Sequence, residues 1–163
     1  MTSTRINPET LYPSVQYGFS HATLDETSGT VHLSGQVAWD KDYNVVGTGD
    51  VGLQARQALA NIKAVLDSLG IGPEQVLRLR TFIVNYDVSM LAAIGPELGA
   101  FYGDALPAAN TVVGVQSLAM PDFLIEIEAI ATTCLVAECH WDQVGWAIAE
   151  NAWRFTAVSD EVL

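Results

Sequence analysis

Positive charge is scarce in this chain. Seven Lys and Arg stand against nineteen Asp and Glu in 163 residues, giving a net charge of −12 with the histidines neutral. Nucleic-acid affinity rests largely on cations that displace counterions from phosphates, so a surface of this sign repels RNA and DNA and no nucleic-acid partner is expected. Cysteine is nearly absent. Cys134 and Cys139 lie five apart, a spacing that fits no zinc or redox motif and predicts free thiols. No apolar run approaches the roughly 18 residues of a membrane span, and the N-terminal stretch MTSTRINPET lacks the basic-then-apolar build of a signal peptide. A cytoplasmic address without membrane attachment is the expectation. There is no internal repeat, low-complexity tract, phosphate-binding glycine loop, nucleophile elbow or His-Glu-x-x-His pattern; Gly47-Thr48-Gly49 is a fragment of such a loop at most. No cofactor and no resident metal are expected.

Apolar residues are abundant: 50% of the chain is hydrophobic, 16% is charged, and the mean hydropathy is +0.25. The length suits one domain with a core of ordinary size and an appendage. So apolar a composition places part of the exposed surface in subunit contacts.

Taken in order, residues 1 to 13, with Pro8 and Pro13, read as a loose lead-in. Gln16 to Thr23 and Thr30 to Trp39 read as strands around a turn at Asp25 to Gly29. A turn centred between Glu26 and Thr27 sets His21 opposite His32. Two facing imidazoles, with Glu126 or Glu128, are a loose metal pattern, weaker than reading both as ordinary polar strand residues. Asp50 is placed to cap a helix whose inward stripe is Ala55, Leu59, Ile62, Leu66 and Leu69, with Arg56, Lys63 and Asp67 toward water and Gly70 as the stop. Val76 to Asn85 reads as a strand with Leu77, Leu79, Thr81 and Ile83 on one face. Arg78, Arg80, Phe82 and Val84 fall on the other, where the arginines would pair with Glu126 and Glu128. A second helix, capped by Asp87 or Ser89, carries Leu91, Ile94, Leu98 and Phe101 inward; Gly95-Pro96 predicts a kink or a split. Asn110 to Gln116 and Leu124 to Ala131 then read as a hairpin joined by a wide turn through Met120-Pro121-Asp122. In its second run Ile125, Ile127 and Ala129 point one way, Glu126 and Glu128 the other. Residues 134–163 read as a second unit, a Trp-rich helix with Trp141, Trp146 and Trp153 expected to dock on its own subunit or on a protein partner.

Four ordered motifs carry a resemblance. Leu33-Ser34-Gly35-Gln36, the helix from Gln54 to Ile62, Pro107-Ala108, and Ile125-Glu126-Ile127-Glu128-Ala129-Ile130-Ala131 resemble the hallmarks of the RidA/YjgF family of small trimeric enamine/imine deaminases, over roughly residues 12 to 132. The resemblance implies an α+β fold of chorismate mutase-like type over residues 1–133. A mixed sheet packs on two helices, and three subunits assemble around a central barrel. It also implies an interface pocket for a small-molecule metabolite, with Glu126 as the catalytic carboxylate and Phe19, Ser34, Ala109, Asn110 and Thr111 against the substrate. In deaminating members an arginine at the position of Ala109 grips the substrate carboxylate. Here a methyl group stands instead, so activity does not follow from the fold. Three readings follow: a deaminase acting on an enamine or imine other than the usual 2-imino acids, a non-catalytic binding or pathway-accessory module, and a conventional deaminase in which Arg78 or Arg80 of a neighbouring chain replaces the lost cation.

Overall fold

A computed structural model describes residues 2–133. Six strands form one mixed sheet in the order β1-β2-β3-β6-β4-β5. The strands are β1 (Ser3–Ile6), β2 (Ala22–Asp25), β3 (Thr30–Gln36), β4 (Val76–Val84), β5 (Ala109–Val115) and β6 (Ile125–Thr132), and the helices are α1 (Val51–Ser68) and α2 (Leu91–Tyr102). All neighbours pair antiparallel except β4 and β5, which run parallel. This is the expected mixed sheet on two helices. No described helix is long and apolar enough to cross a membrane.

Side-chain alternation organises the layers. On β6, Ile125, Ile127, Ala129 and Ala131 are buried under the helices, while Glu126 and Glu128 occupy the opposite face. α1 packs on β6 and β3, and α2 packs on α1. The Asp50 side chain accepts from the Leu53 amide at 3.0 Å and starts α1 where the sequence placed the cap. Ala55, Leu59, Ile62 and Leu66 are buried, and Gly70 closes the helix at φ +69. Arg56 makes a two-pronged ion pair with Glu97 of α2, both contacts at 2.8 Å. With the arginine largely in solvent this contributes at most about 1 kcal/mol, so the helices are held together by their apolar faces.

Several expectations are corrected. β5 and β6 form no hairpin: β4 lies between them, and β5 joins the sheet only through its parallel pairing with β4. The lead-in is not loose, because Ser3–Ile6 pairs with β2. Residues 15–17 form a single 3-10 turn ended by Gly18 at φ +85, and the strand predicted from Gln16 begins only at Ala22. The register then moves by two residues: the observed pairs are Asp25↔Thr30 and Thr23↔His32. His32 is exposed, while His21 is buried with Nε2 at 2.8 Å from the Tyr12 carbonyl. The two imidazoles do not face one another, and no metal-ligating cluster exists among the described residues. On β4 an irregularity between Val76 and Arg78 puts Val76 in the core and leaves Leu77 52% exposed. α2 runs through Pro96 as one helix and is not split there. The Trp-rich tail and both cysteines lie outside the described residues.

Gln54 is the buried polar anchor of this arrangement. Its side-chain amide donates to the carbonyls of Asp122 (2.8 Å) and Gly47 (3.2 Å) and accepts from the Leu124 amide (2.8 Å), fixing the loop that leads into β6. Gln54→Ala leaves the Asp122 carbonyl and the Leu124 amide without partners, while the Gly47 carbonyl keeps its bond from the Asp50 amide at 2.9 Å, and urea unfolding is expected to show a loss of about 2–3 kcal/mol.

Candidate functional site

A cavity of about 420 Å3 opens on the face of the sheet that carries Glu126, beside β3 and the start of β6. Its polar floor is Ser34, Gly35 and Glu126, and its walls are Tyr12, Tyr17, Phe19, Trp39 and Phe123, with Met120 at the rim. Among the described residues no Lys, Arg or His lines it.

β3 is irregular between Leu33 and Gln36, the point where its pairing with β6 slips. Gly35 sits in that irregularity, and a Cβ there would overlap the Glu126 carboxylate. Glycine is required so that the carboxylate can lie flat on the neighbouring backbone. Ser34 is fully engaged: its hydroxyl donates to the His21 carbonyl at 3.1 Å and accepts from the Gln36 amide at 3.1 Å. It is therefore a structural floor and no free nucleophile.

Glu126 has no hydrogen-bond partner and no opposite charge among the described residues. Arg80, across the ladder from Glu128, is ion-paired with that neighbour. Burial pushes the Glu126 carboxyl up from the ordinary glutamate value, and the charge of Glu128 pushes in the same direction. The Tyr12 phenol is pushed up to about 12, first by burial and then by Glu126 and Tyr43, so it stays protonated.

Trp39 is the hub of the aromatic wall. Its ring centroid lies 5.2 Å from Tyr12, 5.1 Å from Phe123, 5.4 Å from Tyr43 and 6.1 Å from Tyr17. The contacts with Tyr12, Phe123 and Tyr43 are edge-on and the one with Tyr17 is tilted; edge-on packing adds specificity of position to simple burial. The backbone of the same segment is held from α1, where the Asn61 amide donates to the carbonyls of Val37 (3.0 Å) and Trp39 (2.9 Å). Tyr43 takes a left-handed φ of 65 in a loop organised by Asp40, and its hydroxyl donates to the Pro13 carbonyl at 2.9 Å.

Of the residues proposed from sequence, Phe19, Ser34 and Glu126 come together in this cavity. Ala109, Asn110 and Thr111 do not: they lie on β5, two strands from Glu126, where Asn110 accepts from the Thr81 hydroxyl at 3.1 Å. Arg78, aligned with Ala109 in the parallel ladder, donates to the Thr111 hydroxyl at 3.4 Å. It therefore does not pair with Glu126. Sequence reasoning missed Tyr12, Tyr17, Trp39 and Phe123, which come from loops and strand ends; the only available signal was the density of aromatics in 12–19 and 39–43.

The fold and cavity define a small α+β domain built around one mixed sheet, with a lone carboxylate in an aromatic pocket. Residues 10–133 match the family described as Endoribonuclease L-PSP, and the chain belongs to that family. A 2-iminobutanoate/2-iminopropanoate deaminase from Dermatophagoides farinae is 32% identical over 80% of this chain and 97% of its own. Among solved structures, a protein of unknown function of the conserved Rid protein family from Yersinia pestis is 53% identical. It covers 81% of this chain and 99% of its own with a TM-score of 0.62. E. coli TdcF with bound serine is 25% identical over 80% and 99%, with a TM-score of 0.70.

The raised carboxyl has a consequence for stability. A folded-state value above the unfolded one means that the fold favours the protonated form, so the contribution is present at low pH and is lost as pH rises through the folded value. Glu126→Gln is expected to unfold at a higher temperature than the wild type at pH 8, with the gap closing below the ordinary glutamate value near ~4.3. Calorimetry across pH checks this.

Proposed function

We propose that the protein is a homotrimeric hydrolytic deaminase acting on an enamine or imine metabolite other than the usual 2-imino acids, with Glu126 as the acid–base residue of a pocket at each subunit interface. The observation that carries the reading is a half-buried carboxylate without a partner among the described residues, in a cavity that no described Lys, Arg or His lines. Burial and the charge of Glu128 raise the Glu126 carboxyl above the ordinary glutamate value, which suits it to taking a proton and giving it back. Water adds to the C=N carbon as Glu126 takes one of its protons and passes it to nitrogen, giving a carbinolamine. Glu126 then carries the hydroxyl proton to the nitrogen as the C–N bond breaks and the C=O bond forms, and the products are a carbonyl compound and ammonia.

The interface placement rests on β5. This edge strand is exposed along nearly its whole length, with Val112 and Val113 open and Leu106 before it 91% exposed. A bare apolar edge of this kind calls for a partner. A neighbouring subunit laid against it brings Ala109, Asn110 and Thr111 to the Glu126 cavity of the next chain. Their donors then serve a neutral ligand, since a carboxylate would find no bidentate grip. The relative named as a 2-iminobutanoate/2-iminopropanoate deaminase and the serine-bound structure of TdcF support small amino and imino compounds as the ligand class. The net charge of −12 speaks against RNA as the substrate that the family description suggests. In this reading the enzyme is cytoplasmic, and residues 134–163 are a docking arm.

One observation favours the conventional alternative. Arg78 stands beside Ala109, and no described acid neutralises it. A neighbour's Arg78 reaching the cavity would restore a grip on a carboxylate.

Ammonia release from imines generated in place by an amine or amino-acid oxidase tests both readings. Glu126→Gln is expected to lower kcat/KM about 100-fold or more, and Gly35→Ala to do the same by forcing the carboxylate aside. Arg78→Ala is expected to leave turnover of carboxylate-free imines unchanged. Efficient turnover of 2-iminopropanoate that Arg78→Ala abolishes establishes the conventional deaminase instead.

A further inference from the structure

We infer that the C-terminal arm, residues 134–163, folds back over its own subunit and seats Trp141 in the groove between α1 and α2. This placement rests on the reading of those residues as a docking arm and names the seat; it is independent of what Glu126 does.

The groove fits one aromatic side chain. α1 and α2 run in the same direction: Gly52 lies against Ala93, Arg56 pairs with Glu97, and a cavity of about 220 Å3 brings Leu59, Ala60 and Lys63 to Ala100 and Phe101. That volume is below the roughly 300–1,000 Å3 of a small-molecule pocket. Leu59, Ala60, Ala100 and Phe101 make the lining apolar, while Arg56 and Lys63 complete it, held by Glu97 and Asp67. Cations beside an indole are attracted by the ring quadrupole, and their stems add apolar cover. Trp therefore suits both parts of this lining. The helices cover the face of the sheet opposite Glu126, so the groove is separate from the cavity described above.

The chain leaves the sheet beside this groove. After α1 the turn Pro73–Gln75 leads into β4, and that turn also touches α2. Val76, the first residue of β4, pairs with Ala131, so residue 133 stands at the end of the sheet where both helices finish. Lys63 and Leu59 lie ~8 and ~14 Å back along α1 from Ser68, at about 1.5 Å per residue. Trp141 comes eight residues after Thr133, a reach of ~12 Å coiled and ~26 Å extended. That range covers the distance.

The arm itself calls for cover. The family match ends at residue 133, and the Dermatophagoides farinae relative is matched over 97% of its own length, so the arm is added to a domain that its relatives already share. Trp141, Trp146 and Trp153 stand among Val144, Ile148 and Phe155, and so much aromatic and aliphatic surface is costly to leave in water. The arm also carries five Asp and Glu against Arg154 alone. In a chain with seven Lys and Arg, a groove flanked by two of them is where an acidic arm meets least repulsion.

The test reads the indoles directly. Full-length protein labelled with 5-fluorotryptophan gives four fluorine resonances, one for each Trp, assigned by single Trp→Phe substitutions, and a soluble gadolinium chelate reports their exposure by broadening. Trp141 is expected to broaden about fivefold less in the folded protein than in urea. Ala60→Glu and Ala100→Glu each put a carboxylate in the groove and are each expected to restore the broadening. Both alanines are exposed, so the fold tolerates either change, and an unmoved Trp39 resonance verifies this in each variant. Trp141 shielded in the wild type and in both variants overturns the seat and keeps the arm, as does an open Trp141 beside shielded Trp146 and Trp153. All three indoles as open as in urea overturn the seat and the arm together. Shielding regained when labelled Ala100→Glu chains are refolded with an excess of unlabelled wild type places Trp141 on a neighbouring subunit and overturns the fold-back.

Discussion

A carboxylate without a partner is the constraint around which this domain is built. Glu126 lies on the open face of β6 because strand alternation sends Ile125 and Ile127 into the core. It can lie against β3 only because residue 35 has no side chain. Aromatic rings then take away part of its water without returning a hydrogen bond. An arrangement of this kind costs stability, and it persists because the sheet beneath it over-determines the position: β6 is paired on both sides, to β3 and to β4.

The walls are held at a distance, by amides from α1. Gln54 fixes the backbone at Asp122 and Leu124, next to Phe123, and Asn61 fixes the carbonyls of Val37 and Trp39. Both residues are almost fully buried and donate their side-chain amides to loop backbone. The helix that supplies the core stripe thereby also sets the two aromatic segments of the cavity. One stretch of sequence, from Gln54 to Ile62, serves packing and site geometry together.

This double use explains what was legible in the sequence. α1 was readable almost to the residue, because its apolar positions repeat at helical spacing and Asp50 and Gly70 mark its ends. β6 was readable from strict alternation, and with it Glu126. β5 was readable as a strand but not by its partner: exposed on both faces, it carries no alternation that specifies a neighbour, and adjacency in sequence suggested a hairpin where a parallel edge pair exists. The His21–His32 register failed because the four-residue loop Glu26–Gly29 is longer than the tight turn assumed, with Gly29 at φ +68 closing it onto Asp25. Leu77 failed through a local irregularity that no periodicity announces. The aromatic cavity was illegible for a different reason: Tyr12, Tyr17, Trp39 and Phe123 come from four places joined only by tertiary structure.

The ionisation of Glu126 in the folded protein is where this account is most directly exposed. Carbon-detected NMR of the side-chain carboxyl, titrated with pH, reports it without reference to any reaction. A midpoint raised above the ordinary glutamate range is the predicted result. An ordinary midpoint would contradict it.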